Sequence, residues 1–331
     1  MRSGTRHDTQ VRTRVEGVAL LALAAGMASN ACAQNWPTRS VRIVVPFVPG
    51  GGTDIQARLL GKKLLESLGQ SFVVENRGGA GGLIGAEFVA KSLPDGYNIL
   101  VSTASLAVNV SLYKKIAFDP VRDLAPVSLI SSSPLVLIVH PSVPAKSVKE
   151  LVTLAKHHKG AMNAASNGSG TTSHLAIEML KQMAGIEVTH VPYRGGGGAM
   201  NALLSGETDF RFTSALAVHS FVRAGRVRPL AVTTVKKSSV FPDLPTLAST
   251  YPGFDCDNWY AVFVAAGTPK EIVGKLSAQV SKALQSPEMR DFITKEGAEP
   301  VGSTPEELAA YFTREIDKYA KVIKAAQIRL E

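Results

Sequence analysis

Cysteine is nearly absent: two occur in 331 residues, Cys32 and Cys256. Once the first 33 residues are removed as a leader, one thiol is left, so no intrachain disulfide can form and stability has to rest on an apolar core. Charge and aromatics are also scarce. Asp, Glu, Lys and Arg make up 19% of the chain and Phe, Trp and Tyr 6%, against 45% hydrophobic residues. That balance excludes intrinsic disorder, and the length is enough for two globular lobes. No apolar run reaches the roughly 20 residues needed to cross a bilayer. The formal charge of +9 can steer anions, but no dense Lys/Arg block with interleaved aromatics is present, so nucleic acid is not an expected partner. H-E-x-x-H, C-x-x-C and clustered His, Asp and Glu are missing, hence no metal and no cofactor is expected. G-x-S-x-G, the signature of many serine hydrolases, is missing too.

At the start, arginines at 2, 6, 12 and 14 precede an apolar run from Val18 to Ala28 and the small residues Ala31-Cys32-Ala33. This is the order of a secretory leader, residues 1–33, and it predicts export to the periplasm after cleavage behind Ala33.

Beyond the leader one pattern recurs: a β-branched apolar run, a turn rich in glycine or serine, then an amphipathic helix. "VRIVVPF" leads into "VPGGGTDI", after which Ile55, Leu59, Leu60, Leu64 and Leu68 are predicted to share a helical face that ends at Gly69. Capping boxes are predicted at Ser147 with Glu150, Thr268 with Glu271, and Thr304 with Glu307 behind Pro305. The alternation argues for an α/β fold with mostly parallel sheets. The order of sheet, second sheet and terminal helices suits two lobes, residues 34–134 with 258–331 and residues 135–257. Crossings are expected near "VSLISSSP" and "CDNWYAV", with a ligand cleft between the lobes.

The turns carry the candidate chemistry. "PGGGTDI" lacks the lysine of a Walker A loop, and Asp54 would repel a polyphosphate while being able to cap free N–H groups. Glycines here allow close approach to the main chain, and a helix start offers unpaired amides with about half a positive charge. Such a turn either receives an anion or simply joins strand to helix. "RGGAGGLIG" falls short of a dinucleotide fingerprint, because no acid follows at the required distance, and reads as an internal turn. "ASNGSGTTSHL" and "HVPYRGGGGAM" are two further turns rich in amides and hydroxyls, with Tyr193 as a possible wall and Arg194 as a ligand cation or a rim charge.

Taken together, "WPTRSVRIVVPFVPGGGTDIQARLL", "VVENRGGAGGLIGAEFVAKSLPDGY", "SLYKKIAFDPVRDLAPVSLI", "HVPYRGGGGAMNALLSGE" and "PLAVTTVKKSSVFPDLPTLAS" resemble the Bug, or tripartite tricarboxylate transporter receptor, family of extracytoplasmic solute-binding proteins. The likeness covers the chain beyond the leader. It implies a periplasmic binding protein type II fold, two lobes closing on a small carboxylated solute that is passed to membrane permease subunits. It further implies binding residues Phe47, Gly51, Gly52, Thr53, Asp54, Thr103 and Ser105 in the first lobe, and Ser166, Gly170, Thr171, Ser173, Tyr193, Arg194 and Thr213 in the second. Members commonly carry aspartate where Thr213 stands and often lysine where Arg194 stands, so a solute without an amino group is expected. Two other readings stay open at this point: an exported esterase or amidase built on Ser169 or Ser173 with His174, and a receptor feeding a sensor kinase. A monomer is the expected state.

Overall fold

A computed structural model describes residues 36–328 apart from positions 48, 51, 114, 194, 195, 236, 296 and 327, and apart from the Leu216 side chain. The expected leader lies outside these residues. Strands and helices alternate through β1 (Val41–Val45), α1 (Gly52–Leu68), β2 (Phe72–Asn76), α2 (Leu83–Ala90), β3 (Asn98–Thr103) and α3 (Ser105–Leu112) before the long β4 (Leu124–Val139). A second series follows: α4 (Val148–His157), β5 (Asn163–Ser166), α5 (Thr172–Ala184), β6 (Thr189–Pro192), α6 (Gly196–Leu204), β7 (Phe210–Ser214), α7 (Ala215–Arg223) and β8 (Arg228–Val232). The chain ends with β9 (Asp257–Ala265), α8 (Lys270–Leu284), α9 (Pro287–Lys295), the short β10 (Glu299–Pro300) and α10 (Pro305–Ala325).

Two α/β lobes share β4. Residues Leu124 to Pro134 of β4 pair antiparallel with β9, whereas Leu135 to Val139 pair with β7 and β8. Return to the first lobe comes at Asp257, opposite Pro134, directly after Cys256 N–H donates to Thr233 O at 3.2 Å. The expected parallel character holds for β2-β1-β3 and for β6-β5-β7. It fails for every pairing of the two crossing strands: β4 runs antiparallel to β7, β8, β9 and β10, and β9 antiparallel to β3, because a strand passing between lobes in one direction must be matched by one coming back.

Burial follows the pattern of strands covered on both faces. In β1, Val41, Ile43, Val44 and Val45 are all buried. The buried stripe of α1 is rotated from the predicted one: Gln56, Ala57, Leu60, Gly61 and Leu64 face inward, while Ile55 is 40% exposed. Gly61 explains the rotation, since a Cβ there would come within 2.9 Å of Phe72 O, so the helix backbone lies directly on β2. Gly85 does the same for α2, with Arg77 O and Pro46 at 2.9 Å from the site of a Cβ.

The predicted caps fare differently. Thr304 and Glu307 form a reciprocal capping box at α10. Ser147 Oγ accepts from Glu150 N–H, but the Glu150 carboxylate takes the N–H of Lys146 rather than that of Ser147. Thr268 caps nothing: its hydroxyl donates to Ala265 O at 2.7 Å and Pro269 occupies the cap position. Helix α10 packs on α3 and β4 and also reaches α5. There Trp259 Nε1 donates to Glu315 at 3.0 Å, Lys318 pairs with Glu315 at 2.5 Å, and the Tyr311 hydroxyl donates to Asp257. Burial pushes the Glu315 carboxyl above its ordinary range, and Lys318 works against that rise.

Candidate functional site

A cavity of about 330 Å³ opens between the two sheets at the point where β4 and β9 cross. Five helix starts converge on it. Thr53 belongs to the first turn of α1, Ser105 opens α3, Thr171 and Thr172 open α5, Gly196 opens α6, and Ser214 precedes α7. Each presents N–H groups without intrahelical partners and the positive end of a helix dipole. Gln56, Asn167, Asn258, Tyr260 and Ser133 add side-chain polar atoms, and Phe47 and Leu135 an apolar surface. Among the described lining residues none is Asp, Glu, Lys or Arg. The arrangement suits an anion held by neutral donors.

Local hydrogen bonds shape the turns. Thr103 Oγ1 accepts the Ser105 N–H at 3.3 Å and lies 2.9 Å from Ser105 Oγ. Thr171 Oγ1 donates to Gly168 O at 2.7 Å, and Ser173 Oγ accepts the Asn167 N–H at 3.0 Å. These contacts fix the "SNGSGTT" turn with Asn167 and Thr171 toward the cavity. Gly52 matters at the opposite wall: a Cβ there would stand 2.9 Å from the Tyr260 hydroxyl, so the bare backbone lets Tyr260 close over the start of α1.

The residues expected from the sequence separate into groups. Phe47, Thr53, Thr103, Ser105, Thr171 and Thr213 line the cavity, and Gly52 lies against Tyr260 beside it. Asp54 does not line it. Its carboxylate accepts from Gly50 N–H, Asn76 Nδ2 and Arg58, each at 3.0 Å, bracing the opening turn from beneath. The Arg58 hydrogen bond foremost, outweighing burial, holds this carboxyl at about 2. Ser166 is fully buried, its hydroxyl 2.6 Å from His190 Nε2. Gly170 donates its N–H to His174 Nδ1 at 3.1 Å, Ser173 is fully buried, and the Tyr193 hydroxyl donates to Glu207 at 2.7 Å. Gly51 and Arg194 lie outside the described residues.

Sequence reasoning missed Gln56, Ser133, Asn167, Ser214, Asn258 and Tyr260. Two signals were available. "DNWY" alternates about buried Trp259 on a crossing strand, which turns Asn258 and Tyr260 to the opposite face. Asn167 follows directly on β5, where a strand end hands over to a turn. The serine–histidine pairings do not form: His174 Nδ1 is taken by Gly170, Ser173 Oγ by Asn167 and Thr171, and Ser169 is exposed.

The tripartite tricarboxylate transporter family receptor model matches residues 56–328. The chain belongs to this family. The receptor is 37% identical to Protein BugT of Bordetella pertussis over 93% of its own length and 95% of that protein. Among solved structures it resembles the R. palustris protein Rpa4515 with adipate, at 38% identity and a TM-score of 0.79 over 89% of this chain and 99% of that one. It also resembles MatC from Rhodopseudomonas palustris with bound malate, at 33% identity and a TM-score of 0.75 over 87% and 100%. These relatives are solute-binding proteins, and the two-lobe periplasmic binding protein fold is common to them and to this receptor.

Proposed function

We propose that this receptor captures a small dicarboxylate in the cavity between its lobes and delivers it to membrane permease subunits, working in the periplasm as a monomer after loss of residues 1–33. The lobes are residues 34–134 with 258–331, and 135–257. The observation that carries the reading is the convergence of five helix starts on a cavity whose described lining holds no fixed charge. Helix termini and hydroxyls hold carboxylates without a cation on the surface. That relatives were solved with adipate and with malate supports the same chemistry.

Closure of the lobes bends β4 and β9 where they cross. Ser133, Leu135, Asn258 and Tyr260 face the ligand cavity, whereas Ser132, Pro134 and Asp257 face a second cavity of about 520 Å³. Open space on both faces of the crossing strands leaves them room to bend. Among its described lining residues none opens a helix, and Asp255, Asp257 and Glu299 outnumber the one cation, Lys237, so it is the poorer place for an anion.

A thermal-shift panel of aliphatic dicarboxylates, aromatic acids, amino acids and the matching amides tests the reading. A ligand at 100 times its Kd adds about 2.7 kcal/mol of stability, several degrees in Tm. A dicarboxylate is expected to give the largest rise, with amino acids weaker because no carboxylate in the described lining meets an amino group. No rise with any carboxylate overturns the proposal.

A further inference from the structure

Arg211 occupies β7 between the core residues Phe210 and Phe212 and is 1% exposed. Its Nη1 donates to Gly196 O at 3.0 Å and its Nη2 to Asn167 Oδ1 at 2.7 Å, while Nε is buried without a partner. No carboxylate among the described residues pairs with it, and burial alone draws the guanidinium down to about 10, so it stays charged at neutral pH. A buried cation without a counter-ion is costly and calls for an explanation.

Both of its partners line the ligand cavity. A guanidinium can only donate, so it claims the side-chain oxygen of Asn167 and the carbonyl of Gly196, two acceptors that the cavity wall would otherwise offer. What Asn167 has left for a solute is its NH₂ group. Thr213, two residues along the same strand and therefore on the same face as Arg211, also lines the cavity. The second wall thus gives up two of its acceptors, keeping hydroxyls that can donate, and is backed by a positive charge with no carboxylate partner among the described residues, separated from the ligand space by one side-chain amide and the start of α6.

We propose that Arg211 is the buried counter-charge of the bound carboxylate and that, by holding Asn167 and Gly196 as it does, it makes the receptor choose an anion over a neutral solute of the same shape. This rests on the carboxylate-receptor reading above. Arg211 touches the wall rather than the solute, so it is a positioning and selectivity residue.

The test compares adipate with its neutral diamide by calorimetry, and ligand-free Tm, in the wild type and three variants. In Arg211→Met, adipate affinity is expected to fall at least tenfold, the diamide to lose much less, and the ligand-free Tm to hold or rise because an unpaired charge has gone. A merely structural arginine would instead lower Tm and leave the adipate-to-diamide ratio unchanged, which overturns the inference. In Arg211→Lys, the amine titrates lower when buried, so adipate affinity should decline from pH 7 to 9 while wild type stays flat; matching flat profiles count against the proposal. Asn167→Asp supplies an internal partner, so its ligand-free Tm should rise as adipate binding is lost, and a fall in that Tm refutes the unpaired charge even if Arg211→Met does not fold. A wild type that binds neither adipate nor malate defeats the dicarboxylate reading itself, before any variant is compared, and the inference with it.

Discussion

His174 and His190 stack with ring centroids 3.8 Å apart and an interplanar angle of 10°, behind the turn that carries Asn167 and Thr171. Burial first, then the neighbouring His190 and the Lys181 ammonium, pull His174 down to about 3; burial and Lys181 pull His190 down to about 4. Glu178, 3.8 Å from His174 Nε2, is drawn off by Lys181 at 2.8 Å and leaves the pair neutral. The unfolded chain takes up both protons near pH 6.5, whereas the folded one refuses them. The stabilisation is therefore complete above 6.5 and is lost as pH falls. Between pH 7 and pH 5 the loss is about 1.9 kcal/mol for each histidine, close to 4 for the pair.

Urea unfolding at steps across that range measures the slope, and the His174→Asn/His190→Gln double variant isolates it, since both replacements keep a polar group. Wild type is expected to lose about 4 kcal/mol more than the variant on going to pH 5. Resonances assigned to His174 and His190 that titrate near 6.5 in the folded protein, or equal slopes in the two proteins, would refute the reasoning.

Gly52→Ala places a Cβ 2.9 Å from the Tyr260 hydroxyl. Since that atom is the end of a side chain, stability should change by less than about 1 kcal/mol, while calorimetry should show ligand affinity falling roughly tenfold, about 1.4 kcal/mol. Thr213→Asp sets a carboxylate at a position that is 3% exposed and faces the cavity. Dicarboxylate affinity should drop by more than tenfold, again about 1.4 kcal/mol or more, and an unchanged Kd would show that the solute binds elsewhere. Lys318→Met strips Glu315 of its 2.5 Å partner beside Asp257; chemical denaturation should report a loss of about 3–5 kcal/mol, and a loss below 1 would mean that Glu315 is already neutral.

Much of the fold could be read from periodicity. β1, α1 and Gly69 stand where "VRIVVPF" and the following helix pattern put them, because strand and helix periods depend on neighbours in the chain. Ile55 shows the limit. Its spacing fits the helical stripe, but the close seat of Gly61 on Phe72 turns the helix and leaves Ile55 exposed. The same limit governs the cavity. Hydroxyl-rich turns announced Thr103, Ser105 and Thr171, yet whether a serine in such a turn faces the cavity or the interior depends on its partner: Ser166 meets His190 across two strands, 24 positions away.

The amino-acid order by itself determined the α/β alternation, the glycine turns ahead of the helices and the resemblance across the chain beyond the expected leader, all of which are local or cumulative along the sequence. Only the tertiary structure decided that five helix starts meet, that Asp54 braces a turn beneath Arg58, and that Arg211 lies buried behind the wall with no acid beside it among the described residues. Those facts depend on which distant groups satisfy a buried donor or charge, and that choice is made when the sheets close, not along the chain.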